Sequence, residues 1–142
     1  MVNVELKGKD FNYLDEGGSG DPVIHICGLE WSYDSTAFAS APIDIPLLDK
    51  SEDIIKAHRA ISYNRYGPKP AVPLGGPIGK PFTHSNVRGQ VVEAAEDCLA
   101  LMQYLDIAKA HIFAHSQVTA IGLDLAMRAQ EKVATITIHG LR

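Results

Sequence analysis

The residues Ala114-His115-Ser116-Gln117-Val118 form a short polar corner between an apolar run and a largely apolar helical pattern. A serine at a strand-to-helix corner projects its hydroxyl clear of both elements. The following helix turns its amino terminus toward the same spot, where free backbone N–H groups stabilise developing negative charge. A hydroxyl nucleophile beside an electropositive hollow is the apparatus of acyl transfer. The plainer reading of Ser116 is a turn residue that caps the helix.

A serine hydroxyl needs a base to attack at neutral pH, and the chain holds six histidines. His139 directly follows the last strand pattern, so it is expected at the same sheet edge as Ser116 and is the leading base. His115 adjoins Ser116, but neighbours on a turn usually point apart. His84 precedes a helix and is a third choice. His25 lies within a buried strand pattern and is expected to be a hydrogen-bonded core residue, while His58 and His111 carry no specific signal.

Two phosphate-loop look-alikes fail on context. Gly75-Gly76-Pro77-Ile78-Gly79-Lys80 is one residue short, with Pro81 where a magnesium-binding hydroxyl belongs. Gly17-Gly18-Ser19-Gly20 leads into a strand rather than a helix. His111 and His115 share a strand face without a cysteine or acidic ligand set, so no metal is expected, and no cofactor.

The elements that must position Ser116 are legible in the apolar pattern. Val2, Val4 and Leu6 alternate as a strand, and Gly8 permits a turn back into Phe11–Leu14, a hairpin. After the glycine-rich break, Pro22 opens Val23–Cys27, a run fit for a strand buried on both faces. A short helix is expected over Glu52–Arg59 and a strand over Ala60–Asn64. A long loop follows from Gly67 to Pro81, with five prolines and four glycines. Thr83–Asn86 offer N-cap side chains to a helix whose Val91, Ala95, Cys98, Met102 and Leu105 recur on one face, with Glu93, Glu96, Asp97 and Gln103 on the others. Ala110–Ala114 is a strand. The helix from Gln117 to Arg128 is apolar on most sides and is expected to be buried on more than one face. Val133–Ile138 is the last strand. Alternating strands and helices imply α/β architecture, a mainly parallel sheet with an N-terminal hairpin and right-handed crossovers.

Strand, turn and helix around a central serine resemble the nucleophile elbow of the α/β-hydrolase family, G-x-S-x-G. Four further segments match in order. Val23–Gly28 resembles the family's apolar strand ending in His-Gly. Ile61–Gly67 resembles the strand running into Asp-x-x-Gly. Glu96–Leu105 resembles the helix before the elbow, and Val133–Ile138 the strand after it. The resemblance covers nearly the whole chain and implies a truncated α/β-hydrolase-like domain over 1–142, without a cap domain. It also implies an oxyanion hole from the backbone N–H groups of Leu29 and Gln117. Glu30, near the same strand end, reads as a solvated loop carboxylate. The departures are Ala114 and Val118 in place of the elbow glycines, Cys27 for histidine and Asn64 for aspartate. The resemblance implies a serine esterase acting on small activated esters through Ser116; His139, chosen by its position after the last strand, where many family members place an acid instead, would shuttle protons. The alternative is a non-catalytic binding or assembly module built on the same sheet. Epoxide and haloalkane hydrolysis fit less well, because those relatives use aspartate at the elbow.

Composition agrees with a globular domain: 142 residues, 46% hydrophobic and 21% charged, with a net charge of −4. No basic block suggests nucleic acid, and no apolar run suggests a membrane span or signal peptide. Cys27 and Cys98 in apolar stretches suit buried thiols and a cytoplasmic protein. Because the family's later strands are not in this sequence, Val133–Ile138 is expected at a sheet edge. There it invites pairing with a second copy, so a homodimer is expected, with one subunit in a position to lend a base or wall to the other's site.

Overall fold

The computed structural model describes residues 2–26, 57–64, 87–115 and 118–139. The elements are β1 (Val2–Leu6), β2 (Lys9–Asp15), β3 (Pro22–Ile26), β4 (Arg59–Asn64), α1 (Val87–Tyr104), β5 (Ala110–His115), α2 (Thr119–Arg128) and β6 (Val133–His139). They build one six-stranded sheet in the order β1-β2-β4-β3-β5-β6. β2 runs antiparallel to β1 and β4, whereas β4, β3, β5 and β6 are parallel neighbours. The expected hairpin, parallel sheet and alternation are therefore present. The expected helix before β4 and the 67–81 loop lie mostly or wholly outside the described residues, as does Cys27.

Local chemistry explains the element ends. Lys7 and Gly8 both take positive φ, 53° and 70°, between the paired residues Leu6 and Lys9. That two-residue turn matches the twist of the flanking strands. α1 ends where Asp106 turns left-handed (φ 54°). The Asp106 N–H then donates to the Gln103 carbonyl at 3.2 Å, and the Ile107 N–H to the Met102 carbonyl at 2.8 Å. This cap satisfies carbonyls that the helix cannot use and tucks buried Ile107 under its end.

Most of the core lies between the sheet and the two helices. Ile24, Ile112 and Ile61 from the strands meet Leu101 and Cys98 of α1 and Leu125 of α2, all buried. His25 is buried, as expected, with its ring edge-on to Phe113 at 5.2 Å.

Two expectations about helix faces need correction. α2 buries only Thr119, Ile121, Gly122 and Leu125, while Leu123 is 42% exposed and Met127 70%. A helix lying on a sheet covers one stripe of itself, and among the described residues the apolar side chains off that stripe stay uncovered. Asp97, expected on the polar side of α1, is only 5% exposed.

Asp97 is held by a cation from the hairpin. Lys9 Nζ donates to Asp97 Oδ1 at 3.0 Å and to Glu93 Oε1 at 2.6 Å, pinning β2 to α1. Burial raises the Asp97 carboxyl above its ordinary value, against the hydrogen bond and charge of Lys9 that pull it down. Burial also opposes the charge on Lys9, but the hydrogen bonds to Glu93 and Asp97 outweigh it and raise the lysine. Lys9→Met is therefore expected to destabilise the domain by about 1–3 kcal/mol near neutral pH, through a carboxylate left buried without its partner. A carboxyl whose folded pKa is raised favours the folded state below its unfolded pKa, and that stability is lost as pH rises through the folded value. The deficit of the variant should accordingly shrink as pH falls through the raised Asp97 value. Urea melts of both proteins across pH check this, and a deficit that grows on acidification contradicts it.

Candidate active site at the carboxyl edge of the sheet

Strand register assembles the site. Ile26 at the end of β3 pairs with Ala114 of β5, and His139 at the end of β6 pairs with His115. Three parallel strands thus finish at one edge of the sheet. Ligands bind at the carboxyl ends of strands in sheets of this kind. α2 begins beside the same edge. Its N-cap is Val118, in right-handed helical conformation and fully buried, and Thr119 is its first residue.

Only two residues, Ser116 and Gln117, separate the last residue of β5 from Val118, and they lie outside the described residues. So do Leu29, Glu30 and His84, and the side chains of His115 and His139. What is described is the frame around them. β5 ends at His115, and α2 begins at Thr119 with no side-chain cap and no acidic residue in its first turn. Its amino-terminal N–H groups keep their positive character.

Register brings the backbone of His139 level with His115, one residue from Ser116, at the carboxyl edge expected of it. His58 and His111 sit at the opposite, amino-terminal end of the strands. His111 Nδ1 lies 2.7 Å from Thr135 Oγ1, and the His58 and His111 rings are 5.9 Å apart. His25 is in the sheet interior against Phe113. Among the described residues, no group of three His, Cys, Asp or Glu side chains is arranged to hold a metal ion.

Two features of the frame carried no sequence signal strong enough to single them out. The first is Gly122. A Cβ there would stand 3.0 Å from both Ala114 Cβ and Ile136 Cδ1. The helix approaches the sheet closely at Gly122, one turn after Val118. The second is Thr119, which is buried with its hydroxyl lacking any hydrogen-bond partner.

The strand order, the single antiparallel β2 and the β5–α2 corner define a class. This chain carries the α/β-hydrolase fold, over part of that fold's extent. No family model matches the chain. Its fold is similar to that of the enol-lactonase from Burkholderia xenovorans LB400, with a TM-score of 0.66 and 18% identity, covering 95% of this chain and 45% of that one. It is similar also to an epoxide hydrolase from Vigna radiata, with a TM-score of 0.64 and 19% identity, covering 96% and 38% respectively. In sequence, 51 residues are 43% identical to the dihydrolipoyllysine-residue acetyltransferase component of an acetoin cleaving system from Pseudomonas putida. That match covers 36% of this chain and 14% of that protein. The chain spans less than half the length of the solved structures it resembles.

Proposed function

We propose that this chain carries the nucleophile portion of a serine hydrolase acting on small activated esters. The observation that supports it most is the corner itself: two residues, one of them Ser116, join a central parallel strand to a helix whose first turn has neither a side-chain cap nor an acidic residue. In this reading the Ser116 hydroxyl gives its proton to the His139 imidazole as its oxygen bonds to the acyl carbon. The carbonyl electron pair moves onto oxygen, which the N–H groups of Leu29 and Gln117 hold. The tetrahedral adduct collapses, the C–O bond to the alcohol breaks, and the imidazolium protonates the leaving alkoxide. Water, deprotonated by the same imidazole, then releases the acid and restores Ser116. The test is labelling with a fluorophosphonate, followed by mass spectrometry of the labelled peptide. Phosphonylation mapped to Ser116 is expected. Modification elsewhere, or none, overturns the assignment.

A second reading, a non-catalytic assembly module, is favoured by one observation. Among the described residues β6 pairs only with β5, carries no Lys, Arg, Asp or Glu, and adjoins α2 with Leu123 and Met127 exposed. An unprotected β-branched edge beside apolar surface invites another chain. In this reading two copies pair through Val133–Ile138. Light scattering on the purified chain is expected to give twice the monomer mass, and a monomer at tens of micromolar would remove the dimer.

A further inference from the structure

Neither reading above uses the side chains at the amino-terminal edge of the sheet. There His111 Nδ1 of β5 lies 2.7 Å from Thr135 Oγ1 of β6, and His111 Nε2 lies 3.9 Å from Asp21 Oδ2. A hydroxyl, an imidazole and a carboxylate thus stand in a row, with the ring between the other two. A histidine–threonine bond across two strands is by itself an ordinary sheet contact. The carboxylate on the far side of the ring gives it a direction. Negative charge beside Nε2 favours the tautomer that carries its proton there, which leaves Nδ1 to accept from the Thr135 hydroxyl.

The backbone is arranged for this row. Ala110 pairs with Val133 but His111 with Thr135, so a bulge passes over Ala134 and sets Thr135 beside the ring. Bulges re-aim side chains in this way. Asp21 immediately precedes β3, and His58 Nδ1 lies 3.2 Å from its carbonyl oxygen. The His58 ring stands edge-on to that of His111, with centroids 5.9 Å apart, and restricts its rotation. Thr135 is exposed, within reach of a solute.

We propose that Thr135 is a site of self-acylation by small activated acyl donors, with His111 as its base and Asp21 as the residue that positions the base. The Thr135 oxygen bonds to the acyl carbon as its proton passes to His111 Nδ1. The carbonyl electron pair moves onto oxygen and returns as the bond to the leaving aryloxide breaks. The N–H of Ala134, which the strand ladder does not use, is the donor nearest in sequence for that oxygen. The imidazolium then gives its proton to water. The product is a threonine ester. It persists because an alkoxide leaves far less readily than an aryloxide, so the outcome is a modified residue rather than turnover. This site does not depend on the reading of Ser116.

The experiment incubates wild type and Ser116→Ala with p-nitrophenyl acetate and maps the acetyl group by mass spectrometry of tryptic peptides. Cleavage after Lys132 puts Thr135 in the peptide 133–142, apart from Ser116. Thr137 shares that peptide, is also exposed and stands opposite Phe113 rather than a base, so it is the internal control. An acetyl group on Thr135, released by alkaline hydroxylamine as an ester is, is expected at the same rate in both proteins. His111→Gln is expected to slow its formation about a hundredfold, the weight of one general base. Asp21→Asn should slow it about threefold, since an exposed carboxylate acts through solvent, and Asp21→Glu should restore the rate. A planar acetyl donor suits the branched Cβ of threonine, which crowds a tetrahedral phosphorus, so fluorophosphonate labelling still reports on Ser116. Acetyl groups on lysine only, Thr137 acetylated as fast as Thr135, or an unchanged rate in His111→Gln overturns the proposal. If His111→Gln fails to fold, His111→Asn takes its place, and the map on wild type decides without either.

Discussion

Ser116→Ala is expected to lower ester turnover by about a thousandfold or more while leaving the melting temperature within a degree or so of wild type. On the proposed reading the loss falls on kcat, because the substitution removes the atom that would form the acyl bond and leaves the rest of the site in place. The helix that follows takes its N-cap from Val118, with no side-chain cap hydrogen bond, so the expected melting temperature includes no lost cap. On the same reading, the residual turnover expected of the variant is catalysis by backbone donors and by binding, which persists in hydrolases stripped of their nucleophile. Turnover of a small activated ester such as p-nitrophenyl acetate, measured beside a thermal melt, separates the outcomes. Equal turnover in both proteins would mean that the hydrolysis occurs elsewhere on the molecule. A large drop in melting temperature would mean that Ser116 serves the fold, as a capping residue does.

Those contrasting outcomes mirror what the amino-acid pattern reveals. The strands were legible because period-two alternation and short apolar runs bounded by Gly and Pro are local signals. Pro22–Ile26 and Val133–His139 appear within a residue of where that pattern puts them. The order of the chemistry-bearing segments was legible too, and it put the His139 backbone at the carboxyl edge of the sheet. Burial of helix faces was not, because it depends on what lies across the interface. Asp97 follows the polar spacing of α1, yet it is buried because Lys9, 88 residues away in sequence, reaches it. Leu123 and Met127 follow an apolar spacing, yet they are exposed because α2 rests on the sheet along one stripe. Motif spacing marks Val118 as standing in place of an elbow glycine, but it does not reveal the close helix–sheet approach at Gly122, which is set by Ala114 and Ile136. Thr119 gave no local signal, since an orphaned hydroxyl exists only once its surroundings are packed.

Gly20→Ala is expected to be among the most damaging single methyl additions in the domain, costing about 3 kcal/mol or more. The reason is space rather than backbone dihedral. A Cβ on Gly20 would stand 1.8 Å from the Ala57 carbonyl oxygen, 2.9 Å from its carbon and 3.2 Å from the His58 Cα. All three are main-chain atoms, so no side chain can rotate away. The segment they belong to is tied down on both sides. Arg59 grips Asp15 through two hydrogen bonds at 2.9 and 2.7 Å, and His58 Nδ1 lies 3.2 Å from the Asp21 carbonyl. The Ala60 N–H donates to the Gly17 carbonyl, and the Glu16 N–H to the Ala60 carbonyl. Relief must therefore come from sliding β3 against β4 at the start of their register, where Pro22 faces Arg59. That slide is transmitted along β3 to Ile26 at the carboxyl edge, next to Ala114. Gly17 supplies the control. It takes φ 79°, and a Cβ there meets nothing within 4 Å, so Gly17→Ala carries only the left-handed backbone penalty of about 1 kcal/mol. Urea denaturation of the two variants side by side is expected to place Gly20→Ala well below Gly17→Ala. Equal midpoints would show that the approach of residue 20 to Ala57 is looser than described, and with it the start of the β3–β4 pairing that brings β3 to the site.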